Sequence, residues 1–168
     1  CFYRIGILRP FRSKLFLCGL FVFGAMFFFG AGEEISWGQR LLGFKSGNYF
    51  IEHNSQMETN MHNLILGGIK INRVFFGTLL GVGLGLYFLV MPLVYEKINF
   101  VSKITDSFAI PVPRLYHTIF CALMMAVAYF CPSAKKGELF EVIGTWVFIL
   151  ILIWPKNKKM FSRVSLER

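Results

Sequence analysis

The stretch FFFGAGEEISWGQRLLGF, residues 27–44, ends a long apolar run on two adjacent carboxylates, Glu33 and Glu34. An ionised side chain at the edge of a hydrocarbon phase is expensive unless it pairs or faces a cavity. Two questions follow: what the apolar run is, and what meets the carboxylates beyond it.

The run is one of several. Leu15 to Gly32 gives 18 residues without a charged side chain, Val74 to Tyr95 gives 22, and Leu115 to Ala134 gives 20. A fourth, Leu139 to Trp154, is interrupted only by Glu141. Each is close to the ~20 residues that cross a hydrocarbon core of about 30 Å. Of the 168 residues, 55% are hydrophobic and only 16% charged, with 20 Phe. Soluble domains commonly carry about 25% charged residues, interspersed rather than segregated. The reading is an all-α polytopic membrane protein, a single membrane domain of residues 1–168 with four transmembrane helices. The spans are about 15–33, 74–95, 115–133 and 139–154, with an outer polar segment 34–73 and a basic tail 155–168.

The net charge of +9 invites a nucleic-acid partner, but its placement argues against one. Arg4, Arg9, Arg12 and Lys14 precede the first span; Lys156, Lys158, Lys159, Arg163 and Arg168 follow the last. Basic residues beside spans mark the cytoplasmic side, and four spans put both termini on that side. Between the first two spans, Glu33, Glu34, Glu52 and Glu58 balance Arg40, Lys45, Lys70 and Arg73, as the outer face requires. Anionic lipid headgroups account for the basicity without DNA or RNA. Cys1, Cys18, Cys121 and Cys131 show no metal-type spacing and read as small packing residues. With Cys1 in first place and no initiator Met, the expectation is a chain that begins inside a longer one.

Gly77, Gly81 and Gly85 recur at spacings of four, so they share one helix face and would let another backbone approach closely. Packing within the chain is the ordinary reading of such a face; self-association is the alternative. The outer segment is more unusual. In EEISWGQRLLGF, helical spacing puts Glu33, Ser36, Trp37 and Arg40 on one face. Gly43, Gly47 and Asn48 mark a turn. In IEHNSQMETNMHNLIL, Asn54, Glu58 and His62 recur every four residues beside Met57 and Met61, which predicts a second short helix, amphipathic or re-entrant. Glu33 or Glu34 is expected to turn inward and meet that polar stripe.

Three uses of such a cluster follow. Glu33, Glu34, His53, Glu58 and His62 are weak candidates for a divalent metal, since carboxylate and imidazole suit zinc or iron; no cofactor is required by the sequence. The Glu58–His62 spacing is one residue longer than the Glu-x-x-His of di-iron bundles, and no H-E-x-x-H occurs. Alternatively one glutamate, Glu33, Glu34 or Glu58, and a histidine such as His62 act as an acid–base pair on a lipid-linked substrate while Arg40 holds a phosphate. Third, the same groups clamp the outer loop to the bundle. Elsewhere, His117 reads as interfacial, Glu138 as paired with Lys135 or Lys136, and Glu141 as a deeper carboxylate near the level of Glu33.

EEISWGQRLLGF followed by ETNMHNL resembles the signature E-E-x-S-W-G-Q-R … E-x-N-x-H-N-L of an uncharacterised family of bacterial multi-pass inner-membrane proteins. The resemblance covers about residues 30–66 and implies a bacterial cytoplasmic membrane and an outer-face site; it carries no activity. The leading expectation is therefore an integral membrane subunit or accessory protein of a larger complex. The alternative is a small membrane-embedded enzyme acting on a lipid or lipid-like substrate.

Overall fold

A computed structural model of the chain describes residues 1–132 and 136–162, apart from the side chains of Arg73, Phe76 and Glu138 and the surroundings of Gly77. The expected pairing of Glu138 therefore lies outside the described residues; Lys136 donates to the Tyr129 carbonyl at 2.8 Å. The described chain is predominantly helical, with one two-residue-per-strand hairpin. Its contacts divide it into a unit of residues 1–20 and 85–168 and a unit of residues 21–84.

Helix α1 (Phe2–Leu8) leads into α2 (Lys14–Glu34), 21 residues and about 31 Å long at 1.5 Å per residue. Ser13 caps α2, its hydroxyl accepting the Phe16 N–H at 3.3 Å. No proline interrupts the helix, and it is long and apolar enough to cross a membrane. Only 28% of its apolar window is buried, whereas the central helix of a soluble core hides most of its surface. Large side chains such as Phe21, Met26 and Phe28 point outward.

The other three predicted spans take different forms. Residues Asn72–Leu79 form a π-helix that continues into α5 (Leu80–Leu89). Next comes α6 (Met91–Lys97), bent by 44° from α5 at a break before Pro92. The proline ring cannot continue the ladder of the preceding turn, and the helix restarts with Pro92 in its first turn. Helix α8 (Leu115–Phe130) has 16 residues, about 24 Å, and stops before Pro132. Helix α9 (Lys136–Ile153) packs against it, its apolar part covering Leu139–Ile153. Among the described residues one helix, or two counting the bent pair, meets the length of a span.

In the first unit, α7 (Asn99–Ser107) turns back on α6 after Ile98. Leu8, Phe16, Leu20 and Ala109 form a buried cluster, with Met160 and Phe161 of a 3₁₀ turn (Lys158–Phe161) packed on it. Gly19 is required there, because a Cβ would collide with the Phe108 carbonyl. Asn157 is buried and joins three segments: its Oδ1 accepts the Val112 N–H at 3.0 Å, and its Nδ2 donates to Asp106 at 2.9 Å and to the Ile110 carbonyl at 3.0 Å.

Among the described residues neither Gly81 nor Gly85 packs against a neighbour: a Cβ at either would meet no atom within 4 Å. Cys18 and Cys131 are exposed as well, rather than packed. Because Asn157→Ala orphans a buried donor and acceptor, it lowers unfolding stability by about 1–3 kcal/mol, read as a drop in thermal midpoint of the detergent-solubilised protein. Lys158→Ala, at an exposed position, leaves the midpoint unchanged.

Candidate functional site: a knot of two carboxylates

The site lies wholly within residues 21–84. Where α2 ends, the chain reverses its helical sense: Ser36 (φ 48°), Trp37 (φ 53°) and Gly38 (φ 84°) are successive left-handed residues. Such a conformation costs roughly 1–2 kcal/mol for a residue with a Cβ, so serine and tryptophan hold it only because their side chains are tied down. The expected continuous helix through residues 33–42 is broken by this reversal; α3 (Gln39–Leu42) starts afresh after Gly38. Glu33, Ser36, Trp37 and Arg40 all nevertheless engage the polar knot, through turn geometry rather than a shared helix face.

Glu33 is 3% exposed, and both of its oxygens accept hydrogen bonds. Its Oε1 accepts the Trp37 indole N–H at 2.8 Å. Its Oε2 accepts the backbone N–H groups of Met61 at 2.6 Å and His62 at 3.0 Å. The His62 Nδ1 lies 3.9 Å from the same oxygen. The Trp37 ring sits edge-on to Phe28 and Phe29, and it occupies the space over Gly32, where a Cβ would come within 2.8 Å of it. That glycine is what lets the indole reach back to Glu33.

Glu58 is the second centre. Arg40 grips it with two N–H donors, Nε to Oε1 at 2.8 Å and Nη2 to Oε2 at 3.1 Å. Ser36 Oγ donates to Oε2 at 2.7 Å and Asn60 Nδ2 at 3.1 Å. The Arg40 guanidinium, with help from Ser36 and Asn60, holds the Glu58 carboxyl below its ordinary range against the opposing effect of burial. Arg40 is raised in turn, chiefly by its hydrogen bond to Glu58.

Asparagines shape the loop that carries these partners. Asn54 Oδ1 accepts the N–H groups of Gln56 and Glu58, an Asx turn. Its Nδ2 donates to Asn60. Asn60 also donates to Ser36 at 3.0 Å and accepts the Asn63 N–H. Gln39 and Ser46 tie in Thr59 and the Met57 carbonyl. A backbone bridge from Asn54 to Leu64 closes the loop, and a Gly67-Gly68 hairpin (β1, Ile65–Leu66; β2, Ile69–Lys70) follows it.

The predicted second helix is thereby corrected. Residues 54–64 form turns, and only α4 (Asn48–His53) before them is helical. Asn54, Glu58 and His62 recur every four residues in the sequence but share no helix face, since the segment folds as turns. Glu34 is exposed, and His53 turns away, stacked on Tyr49 with its Nδ1 3.0 Å from the Tyr49 carbonyl. The five metal candidates Glu33, Glu34, His53, Glu58 and His62 thus do not assemble. Among the described residues no three His, Cys, Asp or Glu side chains are grouped to hold an ion. Gln39, Ser46 and Asn60 were not singled out in the sequence; their clearest signal was an unusual density of amides and hydroxyls between two apolar runs.

Comparison with protein-family models, curated proteins and solved structures finds no match to the chain.

Two measurements check the knot. Glu33→Ala strands three donors and costs at least about 2 kcal/mol of stability, while Glu34→Ala at its exposed position stays within about 0.5 kcal/mol; equal effects would contradict the geometry. For Glu58 the folded pKa lies below the unfolded value of about 4.3. Its stabilisation is therefore present above that pH and lost as the pH falls through the folded pKa. A stability profile below about pH 4.3 shows this acid limb in the native protein and a flatter one in Glu58→Gln.

Proposed function

We propose that the chain is an integral membrane subunit or accessory protein of a larger membrane complex, with the Glu33–Glu58 knot as a rigid presenting element on the extracytoplasmic face. Four apolar helical segments, α2, residues 72–97, α8 and α9, lie within the bilayer of a bacterial cytoplasmic membrane, and the basic termini are cytoplasmic. Outward-facing side chains support this: Leu115, Leu123, Val127 and Phe130 on α8 and Val142 and Trp146 on α9 are all more than half exposed.

One observation carries the assembly reading. Both carboxylates of the knot are held by donors of their own chain, three on Glu33 and four on Glu58, while Leu41 and Leu42, next to Arg40 in the chain, are 79% and 78% exposed. A general acid or base needs a lone pair or proton facing its substrate; these face their own chain. This engagement supports an accessory role over a lipid-directed enzyme. Two bare leucines on a hydrogen-bonded scaffold, flanked by Arg40 and Lys45, suit contact with a partner subunit. The open Gly81 and Gly85 positions offer a second route for a partner helix or another copy.

Native mass spectrometry of the protein extracted from its own membranes in mild detergent tests this. It should copurify with other membrane subunits at fixed stoichiometry, and Leu41→Ser/Leu42→Ser should lower the partner occupancy at least about tenfold, as losing two buried leucine contacts implies. A stable solitary monomer would contradict the proposal.

A further inference from the structure

Helix α7, with its C-cap residue Phe108, presents an apolar stripe that stays exposed among the described residues. Phe100, Ile104 and Phe108, four residues apart, are 71%, 40% and 42% exposed; that spacing sets them along one side of the helix. The opposite side holds the helix in place. Thr105 is buried, and Asp106 accepts hydrogen bonds from Tyr95 of α6 at 3.1 Å and from Asn157 at 2.9 Å. Gly19 admits the Phe108 carbonyl against α2. The stripe is thus fixed outward.

The charge around it has one sign. Lys97 and Lys103, at the end of α6 and on α7, are exposed. The buried cluster of Leu8, Phe16 and Ala109, with Met160 and Phe161 against it, ties the segments carrying Arg9, Lys14, Lys158 and Lys159 to the C-terminal end of α7. Those four basic residues are exposed too. The acidic groups nearby are engaged: Asp106 as above, and Glu96 with Lys156. An acidic or anionic occupant is the one this surface complements.

We propose that α7 is a membrane-surface helix that binds anionic phospholipid. Phe100, Ile104 and Phe108 seat among the upper acyl chains, and Lys97 and Lys103 hold the headgroup phosphates. The inference rests on the membrane-integral reading given above, and it adds to it a specific lipid contact at a specific helix. A polar linker between two spans needs no such stripe; an interfacial helix does.

Spin labels on single cysteines test it. With Cys1, Cys18, Cys121 and Cys131 replaced, labels go to Phe100→Cys and, separately, Lys103→Cys. The full chain is reconstituted in vesicles of about seven parts phosphatidylcholine to three of phosphatidylglycerol, an anionic surface of the kind proposed. The label at 100 should collide more with oxygen than with a water-soluble nickel chelate, and the label at 103 should do the reverse. In parallel, Lys97→Gln/Lys103→Gln should reduce retention of phosphatidylglycerol over phosphatidylcholine about fivefold per lysine. A label at 100 that meets the chelate more than oxygen overturns the proposal. So does one shielded from both, which would mean that a protein partner covers α7, and so does unchanged lipid preference in the double variant. Alkaline carbonate extraction separates this from the broader reading. A carbonate-resistant chain with a water-exposed label loses only the α7 assignment. A chain stripped by carbonate while the label still reports acyl chains keeps α7 and loses the four spans.

Discussion

A carboxylate buried at the end of an apolar helix has to be answered by donors, and in this protein the answer organises the polar segment that follows. Glu33 receives an indole N–H and two backbone N–H groups. To deliver the indole, the chain adopts three left-handed residues and keeps Gly32 free of a side chain. To deliver the backbone groups, residues 54–64 close into a loop whose turns are set by Asn54 and Asn60. Glu58 then fastens that loop to Ser36 and Arg40. Each of these features would be costly alone, and together they satisfy one another.

A second knot follows the same logic in residues 1–20 and 85–168. Asn157 gathers Ile110, Val112 and Asp106, and Asp106 gathers Tyr95. Both knots sit at the ends of apolar helices, where backbone groups run out of helical partners and the chain must turn. Polar side chains are spent there on closing loops, which leaves the helix surfaces free to be apolar. That division of labour is what the proposed role in a membrane assembly would call for.

How much of this could be read from the residues alone differs by element. The first apolar helix was legible because a long charge-free run leaves little else to form, and α2, long and apolar enough to cross a membrane, runs from Lys14 to Glu34. The later runs were legible as helices but not in their lengths, because Pro92 bends one and α8 ends before Pro132. The inward carboxylate was legible from its position, and which of the two it is was not: Glu33 and Glu34 differ only in azimuth at the helix end. The loop was misread for a definite reason. Asn54, Glu58 and His62 repeat at a helical interval, but asparagine side chains compete for backbone N–H groups and favour turns, and here they prevail. Left-handed φ at Ser36 and Trp37 left no trace in residue type, since neither favours it; only their tertiary partners explain it.

The central claim is that Glu33 holds the backbone of Met61 and His62. Residue-resolved amide hydrogen exchange of the reconstituted protein addresses it most directly. The account predicts slow exchange at the Met61 and His62 amides in the native chain, with selective loss of that protection when the Glu33 carboxylate is removed. Exchange of both amides at unprotected rates in the native protein would contradict it.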